Sequence, residues 1–165
     1  MSKKSADTPF ALDPDEYGKF IEGLELIQVR LVRLNVESAA SFPIKPSGTS
    51  VELEVAEEAS YTPVDEGFEV FHRYLLLAKD AQQPSELLGR IEAEFGLRFK
   101  SVQPISQPYF EIFRHFNLPV NTWPYWRELV QSMTARMGWP PITLPLLKRV
   151  PPPSGRPTQK TRKKK

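Results

Sequence analysis

Two histidines, His72 and His115, are the only imidazoles in the chain, and there is no cysteine. Without thiols there can be no disulfide, thiolate zinc site or iron–sulfur cluster. The two histidines stand alone and far from metal-ligand spacing, so no metal and no cofactor is expected. His72 lies on an apolar strand and reads as a hydrogen-bonded, partly buried side chain. His115, beside Arg114, reads as a solvated helix residue. Asp65-Glu66 and Glu57-Glu58 are adjacent carboxylates, but adjacency alone does not make an acid–base pair, and solvated turn residues account for them. Gly48-Thr49-Ser50 is too short a glycine signal for a phosphate cradle. No nucleophile, base and orienting group recur at a useful spacing, so an enzyme is not expected.

What remains chemically active is apolar and aromatic surface, together with charge. From Leu146 onward the sequence holds Lys148, Arg149, Arg156, Lys160, Arg162, Lys163, Lys164 and Lys165 and no acid. The net charge of +2 is therefore +8 in this segment and −6 in residues 1–145. Such a tail can bind phosphates through counterion release, so a nucleic-acid-binding adaptor is the alternative reading of function. Aromatic residues, which single-strand stacking needs, are absent from its Lys160–Lys165 end. With 165 residues, 40% of them hydrophobic and 25% charged, the chain suits one domain with tails. Met1-Ser2-Lys3-Lys4 does not lead into an apolar core, and no run is long enough to span a bilayer. The expectation is a cytoplasmic protein with no membrane insertion.

The elements that must position these residues follow from periodicity. Residues 1–12 and the Pro-rich basic tail 148–165 read as disordered, leaving a domain over 13–147. Asp13-Pro14-Asp15-Glu16 marks a short N-terminal helix that Gly23 closes. Leu24–Val36 reads as a strand whose apolar phase shifts twice: Leu24, Leu26; then Ile27, Val29, Leu31; then Val32, Leu34, Val36. A bulge, or cover on both faces, would explain such shifts. Val51, Leu53 and Val55 alternate with Glu52 and Glu54 in a second strand. Phe68–Ala78 is apolar on both parities. Leu87–Lys100 alternates cleanly, with Leu87, Ile91, Ala93, Phe95, Leu97 and Phe99 on one side. Short links between four strands exclude crossover helices, so the sheet is antiparallel. Two C-terminal helices follow. One carries Tyr109, Ile112, Phe113 and Phe116, is capped by Ser106 and is interrupted at Leu118-Pro119. The other carries Trp126, Leu129, Val130, Met133 and Met137 and ends at Gly138. The fold class is α+β. Strands apolar on both parities predict that the face the helices leave is covered by a second copy of the chain, with loops and residues 1–23 as the alternative cover.

The segment Pro124-Tyr125-Trp126-Arg127-Glu128, continuing through Arg136 to Gly138-Trp139-Pro140-Pro141-Ile142-Thr143-Leu144, resembles the SecB-type protein-export chaperones. In that family a helix opens Pro-Tyr-x-Arg-Glu and ends near an Arg, and an apolar residue, Pro and an apolar-x-Leu run follow. The resemblance covers about residues 119–147; upstream only the order of elements agrees. It implies a four-stranded antiparallel sheet with a long C-terminal helix, assembled into dimers and tetramers (a dimer of dimers). It implies an ATP-independent holdase for unfolded or nascent polypeptides, serving protein transport and translocation or protecting an antitoxin. Pro124, Tyr125, Arg127, Glu128, Arg136, Pro140 and Pro141 would then serve fold and assembly. The client groove would be lined by Tyr61, Phe68, Phe71, Tyr74, Phe110, Leu118, Val120 and Trp123. Two features differ from the export type, whose members continue into a further helix and an acidic tail and engage the translocase motor ATPase. Here prolines follow Leu144, and the tail is basic. That pattern is closer to the SecB-like chaperones of toxin–antitoxin systems.

Overall fold

A computed structural model describes residues 13–39, 51–83 and 85–148; residues 1–12 and the tail beyond Lys148 lie outside them. The chain runs α1 (Pro14–Glu22), β1 (Leu24–Ser38), β2 (Val51–Val64), β3 (Gly67–Asp80), β4 (Leu87–Ser101) and α2 (Gln107–Arg136). It has the α+β class expected from the sequence. The sheet is antiparallel throughout, in the order β1-β4-β3-β2. β2, β3 and β4 form a meander and β1 returns to lie beside β4, a Greek-key order read from the C-terminal end.

β1 explains its own double phase shift. Its register against β4 slips between Leu26 and Gln28, and again between Leu31 and Arg33. Ile27 and Val32 are therefore bulge residues. Each bulge consumes one residue, so Leu26, Val29, Leu31, Leu34 and Val36 all pair with inward-facing residues of β4. On β3 and β4 the inward rows are Phe68, Val70, His72, Tyr74 and Leu76, and Ile91, Ala93, Phe95, Leu97 and Phe99. These rows are almost wholly buried.

Helix α1 begins as its sequence dictates. The Asp13 carboxylate accepts from the Asp15 N–H at 2.9 Å, Pro14 occupies the first turn and Gly23 closes the helix. Phe20 stacks on Tyr109 at 4.8 Å between ring centroids. The Tyr17 hydroxyl donates to Asn117 Oδ1 at 2.6 Å, and burial pushes its pKa well above the usual phenol value.

The two expected C-terminal helices are one. α2 runs unbroken for 30 residues with Pro119 and Pro124 inside it. Each proline removes a single N–H donor and costs about 3 kcal/mol. The surrounding turns bury Leu118, Thr122 and Trp126 completely, which outweighs that cost. Side chains also reinforce this stretch: Asn121 Nδ2 donates to Asn117 O at 2.9 Å, and Thr122 Oγ1 to Leu118 O at 3.1 Å. Trp126 stacks on Tyr74, centroids 5.3 Å apart and planes 8° from parallel.

α2 ends in a Schellman turn. Gly138 has φ +76°, its N–H bonds Ala135 O, and the Trp139 N–H bonds Thr134 O at 2.9 Å. The chain then doubles back along α2. Trp139 lies against Gly89, where a Cβ would sit 2.4 Å from the indole; only glycine permits that approach.

The outward face of the sheet carries a lattice of ions over half-buried Phe71, Leu75 and Leu77. At its centre Glu92, with its side chain 7% exposed, takes the Arg73 guanidinium at 2.8 Å and also Arg90. Burial alone would raise the Glu92 pKa. The hydrogen bonds and charges of Arg73 and Arg90 outweigh burial and hold it below the usual value of 4.5. Stability from this carboxylate is therefore present above about pH 4.5 and lost as pH falls through its lowered pKa. Glu92→Gln should cost about 1–2 kcal/mol at pH 7. The gap to the parent should narrow steadily below pH 4.5 in urea unfolding curves. A gap that stays constant to pH 2 would show that the charge contributes nothing.

Candidate hydrophobic client-binding site

α2 lies over β3 and β4, and the aliphatic rows of the two edge strands extend past it. On β1, Leu26, Leu31 and Leu34 face the helix side yet remain 38–46% exposed. Tyr125 of α2, half exposed, has its ring 6.3 Å from Phe95, the β4 partner of Leu31. The bulge residues Ile27 and Val32 are exposed as well, and Val32 lies over Gly96 on the outward face of the sheet. On β2, Val51, Leu53 and Val55 are 38–45% exposed and share the helix side with Ala78 and Leu76 of β3. Two nonpolar rows thus run along opposite edges of the sheet.

The eight expected groove residues do not converge. Phe68, Tyr74, Phe110 and Leu118 are core residues, at most 3% exposed, and cannot line a groove in this arrangement. Phe68 and Tyr74 occupy inward positions of β3 directly under α2. Phe110 falls off the helical stripe, yet Tyr61 reaches over from β2 and closes on it at 4.5 Å. Phe71 is half-buried on the other face of the sheet. Tyr61, Val120 and Trp123 keep exposure, Val120 most of all. The residues that the groove expectation missed are the edge-strand aliphatics. Their signal was present in the alternation of β2 and in the twice-shifted phase of β1.

Three side chains of α2, of which Arg127 alone belongs to the motif, fasten the returning strap 139–145. Arg127 Nε donates to Leu144 O at 2.8 Å, and Trp123 Nε1 to Pro145 O at 3.0 Å. The Ile142 N–H donates to Thr134 Oγ1 at 3.0 Å. Arg127 and Glu128 do not pair with each other; Glu128 is exposed, as are Pro124, Tyr125, Arg136, Pro140 and Pro141.

The polar residues weighed for chemistry are structural. His72 is buried, with Nδ1 2.9 Å from Thr122 Oγ1, which is also 2.9 Å from the Tyr74 hydroxyl. Its Nε2 lies 3.7 Å from Glu57. His115 is half-buried, not solvated, and joins His72, Glu57 and Arg114 around a hollow of about 120 Å³. Glu57 and Glu58 are strand residues, not turn residues; Asp65 and Glu66 do form the β2–β3 turn. Among the described residues no cluster of three or more His, Asp or Glu could hold a metal, and no helix is long and apolar enough to cross a membrane.

The geometry defines a class: an antiparallel α+β sheet, one long helix across its middle, and nonpolar flanks beside it. Neither a protein-family model nor a curated protein matches the chain. Among solved structures it is similar to the SecB-like chaperone Rv1957 of Mycobacterium tuberculosis, in complex with a ChAD peptide from the Rv1956 HigA1 antitoxin. The TM-score is 0.66 at 20% identity, over 82% of this chain and 99% of that chain. The fold is SecB-like, as the Pro124–Leu144 segment implies. A protein of unknown function from Streptococcus agalactiae aligns over 74% of this chain and 97% of that one, with a TM-score of 0.35 at 12% identity, too low to carry any argument.

Arg127→Ala should free the strap. We expect a loss of about 1–2 kcal/mol and faster proteolytic cleavage within 139–146, with the secondary structure of the sheet unchanged. Unaltered cleavage would mean that Trp139 and Leu144 hold the strap without the guanidinium.

Proposed function

We propose that this protein is an ATP-independent holdase that binds unfolded or nascent polypeptides along the nonpolar flank of α2 over β2. The observation that carries the reading is the uncovered aliphatic row Val51, Leu53 and Val55. Shallow aliphatic surface binds by area, with little demand on sequence, and releases without chemistry. That suits non-native chains, and no nucleotide is needed. Exposed Val120 and half-exposed Tyr61 and Trp123 extend the surface. The place of action is the cytoplasm. Likeness of fold to a chaperone captured with an antitoxin peptide favours antitoxin protection over export with a translocase motor ATPase.

The test is aggregation of a denatured client, followed by light scattering without nucleotide. Near-stoichiometric protein should suppress it. Leu53→Glu should weaken suppression roughly tenfold, since each large apolar side chain buried contributes about 1.5–3 kcal/mol. A client that aggregates at the same rate with and without the protein refutes the reading.

The β1 row, Leu26, Leu31 and Leu34, is uncovered as well. We assign it to self-association, as a dimer or a dimer of dimers, with Tyr125, Pro140 and Pro141 at or near the contact. Multi-angle light scattering at micromolar concentration should give a multiple of the 18.9 kDa chain mass. Leu31→Glu should lower that multiple. A monomer for the parent chain would exclude the assembly.

A further inference from the structure

The strap after α2 lies on one flank of that helix. Trp123 and Tyr125 point to opposite flanks: the Trp123 ring stands 5.9 Å from Tyr74 of β3, and the Tyr125 ring 6.3 Å from Phe95 of β4. With the strand order β1-β4-β3-β2, Trp123 marks the β2 side. Its Nε1 donates to Pro145 O, so the strap returns on that side. At the other end Trp139 and Ile142 pack with Ala78 of β3, the register partner of Leu53. The strap therefore follows the inward row of β3 from Ala78 toward Tyr74, one strand in from the uncovered row Val51, Leu53 and Val55.

Its two halves are held unequally. Residues 138–142 are pinned by the Schellman turn at Gly138, by the Ile142 N–H on Thr134 Oγ1, and by Trp139 over Gly89. Residues 143–148 have one buried side chain, Leu144, which joins the main core. Two side chains hold their backbone: Arg127 Nε donates to Leu144 O, and Trp123 Nε1 to Pro145 O. Among the described residues no backbone hydrogen bond ties this half to β2 or β3. Pro145 has no N–H to give, and Leu146 is 69% exposed. A segment held in this way opens at less cost than the body of a domain.

We propose that residues 143–148 are a self-inhibitory flap over the client flank, hinged on the pinned turn 138–142. The proposal rests on the holdase reading and specifies how that site is regulated. Docked, the flap keeps Leu144 in its seat on the β2 side of α2. Released, it gives up the bonds from Arg127 and Trp123 and adds an apolar seat to the surface that Val51, Leu53 and Val55 offer. A client that fills the seat offsets the loss of Leu144 burial. Only the released fraction offers the whole surface, so a flap docked about 90% of the time lowers apparent client affinity about tenfold. By linkage, a bound client holds the flap open. With no client present, the docked flap shields part of the nonpolar flank from other molecules.

The experiment uses the full chain and a fluorescent, end-blocked ten-residue peptide alternating Leu and Ser, with binding read by anisotropy. Arg127→Ala removes one fastener and Leu144→Ala empties the seat. Each variant should bind the probe about fivefold or more tightly than the parent, where a merely structural role would give equal or weaker binding. The decisive arm is hydrogen exchange of the parent protein, which asks no variant to fold. Saturating probe should speed exchange of the amides in 143–148 about tenfold and leave those of Trp139 and Ile142 unchanged. Exchange in 143–148 that stays constant or slows with probe bound overturns the proposal. So does probe affinity no higher than the parent's in both variants when circular dichroism shows them folded. Aggregation suppression is measured alongside. If the parent binds the probe and suppresses aggregation while the flap amides do not change, the flap fails and the holdase reading stands. If parent and variants alike neither bind nor suppress, the holdase reading fails and the flap falls with it.

Discussion

A helix with its side chains is about 10 Å across, and four strands about 4.8 Å apart make a sheet nearly twice as wide. That mismatch governs this molecule. α2 can seal β3 and β4 and little more, so their inward rows reach full burial. β1 and β2 must either present polar residues on the helix side or leave aliphatic residues uncovered. The sequence places Leu and Val there. A second layer helix would remove the problem, but α1 has only nine residues and packs at the Phe68 and Phe99 end of the sheet. The nonpolar flanks are thus a consequence of the architecture, and function follows from what is allowed to cover them.

The strap and the motif make sense within this constraint. A Schellman turn at Gly138 reverses the chain, and Arg127, Trp123 and Thr134 each give or accept one hydrogen bond to the returning backbone. Extended chain has unpaired N–H and C=O groups, and those three side chains satisfy some of them at the helix surface. Trp139 inserts over Gly89 and joins Ala78 and Leu88 in a small second core. Residues 139–146 therefore lie along α2. Arg127, within the Pro-Tyr-x-Arg-Glu pattern, is one of their fasteners.

Much of the fold could be read from the residues because their local preferences agree with the global arrangement. Asp13, Pro14 and Gly23 fixed the ends of α1. The phase breaks at Ile27 and Val32 fall at the two bulges, one of the two explanations the pattern allowed, since a period-two pattern slips where an extra residue is inserted. The break at Leu118-Pro119 misled, because proline penalises a helix by an amount that tertiary burial of Leu118, Thr122 and Trp126 exceeds. The uncovered nonpolar surface was legible in part only. Aromatic residues drew attention, yet large flat rings were drawn under α2 as core, as Phe68, Tyr74 and Phe110 were. Which apolar residues stay outside depends on how far a helix reaches across a sheet. Periodicity along one strand does not contain that width.

A protein that leaves nonpolar surface uncovered must also keep that surface from consuming itself. The two edges differ in how far they do so. Two bulges and two arginines twist and charge β1, so its flank favours contact through side chains over open-ended strand pairing. β2 keeps a regular register with β3 along its whole length, and Glu54 and Glu58 on its outward side are held in ion pairs by Lys79 and Arg73. Charge therefore guards the β2 edge less than bulges and arginines guard β1.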